Sequence, residues 1–126
     1  MKQHTCLDHQ LYKEIVVMED KCEKVADQIS HKYSTAFIEK NQKLIIEVVR
    51  GKKGGFASQQ HVFDEFYESY LEIGIENEGE YYPNGYLPIW KCKSEWFEKI
   101  GYLTNRSLEE IQGDMEAIVL EMIEGL

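Results

Sequence analysis

The chain has 126 residues, 43% of them hydrophobic and 29% charged, with a formal net charge of −9. That length and apolar content suit one self-folding domain over 1–126 and exclude global disorder. Charge is unevenly spread: residues 1–53 hold ten Lys/Arg against eight Asp/Glu, residues 54–126 four against fifteen, a field that repels nucleic acid and attracts basic partners.

The opening residues contain no continuous apolar run of the signal-peptide kind, and no stretch reaches the ~20 apolar residues of a membrane span. Three cysteines, Cys6, Cys22 and Cys92, are an odd number. They point to a cytoplasmic protein in a reducing compartment rather than to a disulfide framework.

The first periodic segment runs from about Cys6 to His31. Leu11, Ile15, Met18, Cys22, Val25 and Ile29 recur at steps of 4 and 3, the stripe of an amphipathic helix. Thr5 and Asp8 have the spacing of a capping box. Val16 and Val17 also permit a strand over 13–18. Residues 35–38 and 44–49 are rich in branched and aromatic side chains around a polar turn at 39–43, which predicts a hairpin over about 34–50.

The loop Arg50-Gly-Lys-Lys-Gly-Gly follows. Ser58 and the spacing of Val62, Phe63, Phe66, Tyr67, Tyr70 and Leu71 predict a helix over 58–73 that ends at Gly74. Pro83-Asn84-Gly85 reads as a turn, and 86–91 as a strand that Pro88 confines to a sheet edge. Ser94 and Gly101 bracket a short helix at 95–100. Ser107 and Glu110 form a capping box for a helix over 108–124, with Leu108, Ile111, Met115, Ile118 and Met122 on its apolar side and Gly125 as its stop. The expected fold is α+β, with a long N-terminal helix, a small antiparallel sheet and two or three further helices; a winged-helix arrangement is the rival topology.

No stretch specifies a reaction. The last helix carries Glu109, Glu110, Asp114, Glu116, Glu121 and Glu124 without one basic residue. A helix-turn-helix reading of 95–124 therefore fails, since a recognition helix must approach phosphates. Glu109, Glu110 and Asp114 suit a basic protein surface instead. Tyr81, Tyr82, Tyr86 and Trp90 supply the aromatic contacts typical of binding hot spots. The heptad stripes of the first and last helices fit packing within the chain, with a homodimer seam as the alternative.

Arg50, Lys52 and Lys53 are candidates for anion binding, although the loop lacks G-x-x-x-x-G-K-[ST] and G-x-G-x-x-G. His61, Glu65 and Glu68 are candidate metal ligands without the H-E-x-x-H pattern. Cys92, between Lys91 and Lys93, has the cationic neighbours that lower a thiol pKa. No catalytic set and no cofactor are predicted. The reading these features favour is a non-catalytic acidic module, inhibitor-, immunity- or antitoxin-like, that occludes a basic partner surface without touching nucleic acid or membrane. An anion-binding regulatory domain and a metal-dependent enzyme are the alternatives.

Overall fold

A computed structural model describes residues 1–126. It consists of β1 (Lys2–His4), α1 (His9–Ile38), β2 (Lys43–Lys52), β3 (Gly55–Phe56), a 3-10 turn (Gln59–His61), β4 (Glu68–Asn77), β5 (Glu80–Glu95), β6 (Glu98–Leu103) and α2 (Leu108–Glu124). The fold is α+β, as expected, but with two helices only and a six-stranded sheet in place of a hairpin. The strand order is β1-β6-β5-β4-β2-β3, every neighbouring pair antiparallel.

Helix α1 extends beyond its predicted end. Asp8, rather than Thr5, caps it: the carboxylate accepts from the Leu11 amide at 2.9 Å, as short side-chain acceptors do at this position. Its buried stripe runs through Cys22, Ala26 and Ile29 to Phe37. Residues 35–38, expected to be a strand, are therefore the last turn of the helix. Phe37 is wholly buried while Thr35 and Ile38 face solvent, so packing at the helical period overrides local strand propensity.

Strand β2 pairs with β4 rather than with 35–38, in unbroken register from Lys43↔Glu76 to Gly51↔Glu68. This corrects the helix expected over 58–73. Only the single turn at Gln59–His61 is helical, and Gly74 lies within β4. The aromatic spacing of 62–71 mimics a helix, yet 68–76 also alternates. Ser69, Leu71 and Ile73 are buried, and Glu68, Tyr70 and Glu72 between them are not. That two-residue period is the strand's signature.

Strand β5 absorbs the predicted turn at 83–85, and it is interior, flanked by β4 and β6. The register shifts twice, between Ser69 and Tyr70 and between Ile73 and Gly74, where Pro88 and Pro83 are the β5 partners. Proline is tolerated inside a sheet at such bulges, where the ladder is already interrupted. The helix expected at 95–100 is instead the β5–β6 hairpin, and Gly101 belongs to β6. A side chain at Gly101 would strike the Trp90 ring, so this glycine makes room for the largest residue of the core. Helix α2 has the predicted bounds and capping box.

Both helices pack on one face of the sheet. Leu71, Ile73, Trp90 and Cys92 join Ile15, Cys22, Ile29, Met115 and Val119 in a single core, and Ile118 of α2 lies against Gly85 of β5. Tyr33 of α1 donates to Glu116 of α2 at 2.9 Å. The apolar stripes of α1 and α2 are thus consumed within one chain.

One charged residue lies on the buried stripe of α1. Glu19 is wholly buried. It accepts from the Tyr67 hydroxyl at 2.7 Å and from Arg50 Nε at 3.0 Å. The Arg50 guanidinium also reaches Glu23 at 2.9 Å. Burial, with Glu19 as acceptor, raises the Tyr67 pKa well above the usual tyrosine value, so its hydroxyl remains a donor.

Two measurements test this account. Glu19→Ala leaves the Tyr67 hydroxyl unpartnered and Arg50 with Glu23 alone, and is expected to cost about 3 kcal/mol in urea unfolding, the lower end of the range for breaking a buried ion pair. At the β5–β6 turn, Trp96 and Phe97 have φ of 50° and 68°, a conformation suited to Asn-Gly and costing a bulky residue about 1–2 kcal/mol. The double substitution Trp96→Asn, Phe97→Gly is expected to stabilise the protein in the same assay; an unchanged midpoint would refute strain at this turn.

Candidate protein-docking face

The sheet face turned away from the helices carries an aromatic and acidic cluster. Antiparallel register sets Glu47 of β2 opposite Glu72 of β4, and Glu72 opposite Tyr86 of β5. One step along, Tyr70 stands across from Val49, and Glu76 faces both Lys43 and Tyr81. The Tyr70 and Tyr86 rings meet at 4.7 Å between centroids, tilted by 47°. Tyr81 is 37% exposed and Tyr86 55%, large values for aromatic rings in the interior of a sheet.

Electrostatics here are compensated only at the margins, where Lys43 stands opposite Glu76 and Lys91 opposite Glu68. None of Glu47, Glu68, Glu72 and Glu76 lies within 4.0 Å of a lysine or arginine nitrogen. Like charges directly across a strand pair are destabilising, as with Glu47 and Glu72. The tyrosines register this field. Burial, then Glu72 and Glu47, raises the Tyr81 pKa far above the usual value. Burial, then Glu72 and Glu68, raises that of Tyr70, and burial, then Glu68 and Tyr70, that of Tyr86. At neutral pH the site therefore presents neutral phenols among carboxylates. Such a surface accepts cations: carboxylates pair with guanidinium or ammonium groups, and ring faces attract them.

The sequence candidates divide. Tyr81 and Tyr86 meet on this face, together with Tyr70, Glu47 and Glu72, which the sequence reading missed. Tyr82 points to the opposite side and donates to Glu80 at 2.8 Å. Trp90 is a core residue, wholly buried, its indole donating to the Val62 carbonyl at 2.7 Å. Glu109, Glu110 and Asp114 lie on α2, across the sheet from the tyrosines. Arg106 bridges Asp114 at 2.7 Å and approaches Glu110 at 3.9 Å. Glu110 also closes the helix cap with Ser107. These carboxylates are partly neutralised within the chain and do not join the tyrosine cluster.

The basic loop is the turn of the β2–β3 hairpin rather than a strand-to-helix turn. Arg50 is committed to Glu19 and Glu23. Lys52 lies 3.6 Å from Asp64, and Lys53 sits over the Phe66 ring. The cleft beside Arg50 also includes Asp20 and Glu23, a lining that repels anions. His61, Glu65 and Glu68 do not converge: His61 bonds the Ser58 amide through Nδ1, Glu65 lies in a turn and Glu68 begins β4. No group of three or more His, Cys, Asp or Glu side chains is placed to hold a metal.

Comparison with protein-family models, with curated proteins and with solved structures finds no match to the chain. No helix is long and apolar enough to cross a membrane.

All three cysteines are free thiols, and only Cys6 is exposed. Burial pushes the Cys22 thiol up to about 11. It also raises Cys92, outweighing the opposing charge of Lys99, so the activation expected from Lys91 and Lys93 is absent. Alkylation with iodoacetamide is expected to modify Cys6 alone in the native protein and all three in denaturant, as read by peptide mass spectrometry.

Proposed function

We propose that the protein is a non-catalytic acidic module that binds a basic protein partner, in the manner of an inhibitor, immunity protein or antitoxin, and acts by covering the partner's basic surface. The observation that carries this reading is the open sheet face, where Glu47 and Glu72 stand directly opposed with no cation within 4.0 Å, beside Tyr70, Tyr81 and Tyr86. The carboxylates steer encounter with a cationic surface, and the tyrosines supply contact area at low entropic cost. This reading keeps Tyr81 and Tyr86 from the contact residues drawn from the sequence, leaves out Tyr82, Trp90, Glu109, Glu110 and Asp114, and adds Tyr70, Glu47 and Glu72 of β2 and β4. Three free thiols favour a reducing cytoplasm as its compartment.

An arginine-rich peptide tests the reading. It is expected to bind at low salt and to weaken steeply toward about 0.15 M salt, where screening reaches ~8 Å. Replacing Glu47 by Lys removes one carboxylate and places an ammonium beside Glu72. That variant is expected to lose about tenfold or more in peptide affinity, which is ~1.4 kcal/mol, while folding at least as stably as the parent. Glu109→Lys on α2 is expected to have a smaller effect. Equal losses from the two variants in a calorimetric titration would assign the attraction to net charge and refute the face.

A further inference from the structure

Strand β2 has a free edge. Its only partner on the side away from β4 is β3, which pairs at Gly51 and Lys52 and no further. The Arg50 carbonyl accepts from the Ala57 amide on that same side. Outward-pointing residues alternate along a strand, and the β2–β4 register is unbroken. The amides and carbonyls of Leu44, Ile46 and Val48 therefore point outward as well, with no strand beside them. Exposed edges are usually blunted by proline, by bulges or by being very short; 43–50 has no proline and no register shift.

The surroundings of this edge are selective. A cleft of about 270 Å³ is lined by Glu23, Ala26 and Asp27 of α1 and by Ile46, Glu47 and Val48 of β2. A second, of about 250 Å³, continues along Val48, Val49 and Arg50 to Phe56. Side chains of consecutive strand residues point to opposite faces, so a cleft touched by three in a row opens on the strand's edge. Its floor is apolar and its rim carries three carboxylates.

We infer that β2 accepts an extended, basic segment of the partner as a seventh strand of the sheet. This rests on the functional reading above and specifies its docking mode. Main-chain bonds to Leu44, Ile46 and Val48 supply affinity, and alternate side chains supply specificity. One set of those side chains enters the cleft, with apolar groups over Ile46 and Val48 and cationic ends toward Asp27, Glu23 being already paired with Arg50. The other set lies on the open face beside Glu47, next to Glu72. A second copy of this chain fits poorly, because an antiparallel pairing of two β2 edges brings the carboxylates of Glu23, Asp27 and Glu47 from both copies onto one seam.

The test uses a short peptide alternating valine with arginine, and the same peptide N-methylated at alternate amides, which keeps its charge but cannot pair as a strand. The unmodified peptide is expected to bind the full chain and to slow hydrogen exchange at the Leu44, Ile46 and Val48 amides. Methylation of the peptide, or Val48→Pro in the protein, is expected to weaken binding about tenfold or more, the loss of a few main-chain bonds. The methylated peptide keeps the result interpretable if Val48→Pro unfolds the protein. Equal affinity for both peptides, without protection of those amides, would overturn the added strand and leave cation docking on the open face intact. No binding of either peptide at low salt would overturn both. Protection of the same amides by self-association alone would also overturn the proposal, by making a second copy the occupant.

Discussion

The carboxylate of Glu19 is the constraint on which the architecture depends. An unpartnered ionised group at that depth would cost several kcal/mol. Here the Tyr67 hydroxyl and the Arg50 guanidinium occupy its two oxygens. Each of the three comes from a different part of the chain: α1, the last residues of the crossing loop, and β2. Satisfying one side chain thus fixes how far α1 slides along the sheet and where the 57–67 segment folds back. It also removes Arg50 from the surface, which empties the basic loop of its most capable anion ligand. Replacing such a cluster by apolar residues is often neutral or stabilising, so the cluster is better understood as a specifier of register than as a source of stability.

What the sequence disclosed depended on which signal was undivided. In α2, the Ser107–Glu110 capping box, the apolar stripe and Gly125 agree, and the predicted bounds match. Helix α1 was visible as far as Ile29, but its last turn was hidden because Thr35, Phe37 and Ile38 prefer strands. Strand β4 was mistaken because its aromatics fall at helical spacing as well as at alternate positions, and only the partner strand decides between them. The prolines of β5 suggested a turn and an edge; they sit instead at the two bulges. Of the candidate site, Tyr81 and Tyr86 were legible as exposed aromatics. Tyr70, Glu47 and Glu72 were not, since their meeting is a matter of strand register, which composition does not encode.

The two faces of the sheet divide the work. The helix-covered face holds the core around Trp90 and Tyr67 and tolerates one ion cluster because each Glu19 oxygen has a donor. The other face keeps Glu47 and Glu72 opposed without a cation. That opposition is a small standing cost to the protein, of the kind a cation placed between the two carboxylates would relieve. The cost of opposed like charges therefore falls on one face, while the packed core lies on the other.

The three-residue strand β1 pairs with β6, Lys2 with Leu103. Residues 2–4 must therefore wait for the synthesis of residues 101–103 before they find their neighbour. Contacts of such long sequence separation slow folding. The sheet cannot be completed during synthesis of the N-terminal half, and the bare edge of β2 emerges well before β4 exists to cover its other side.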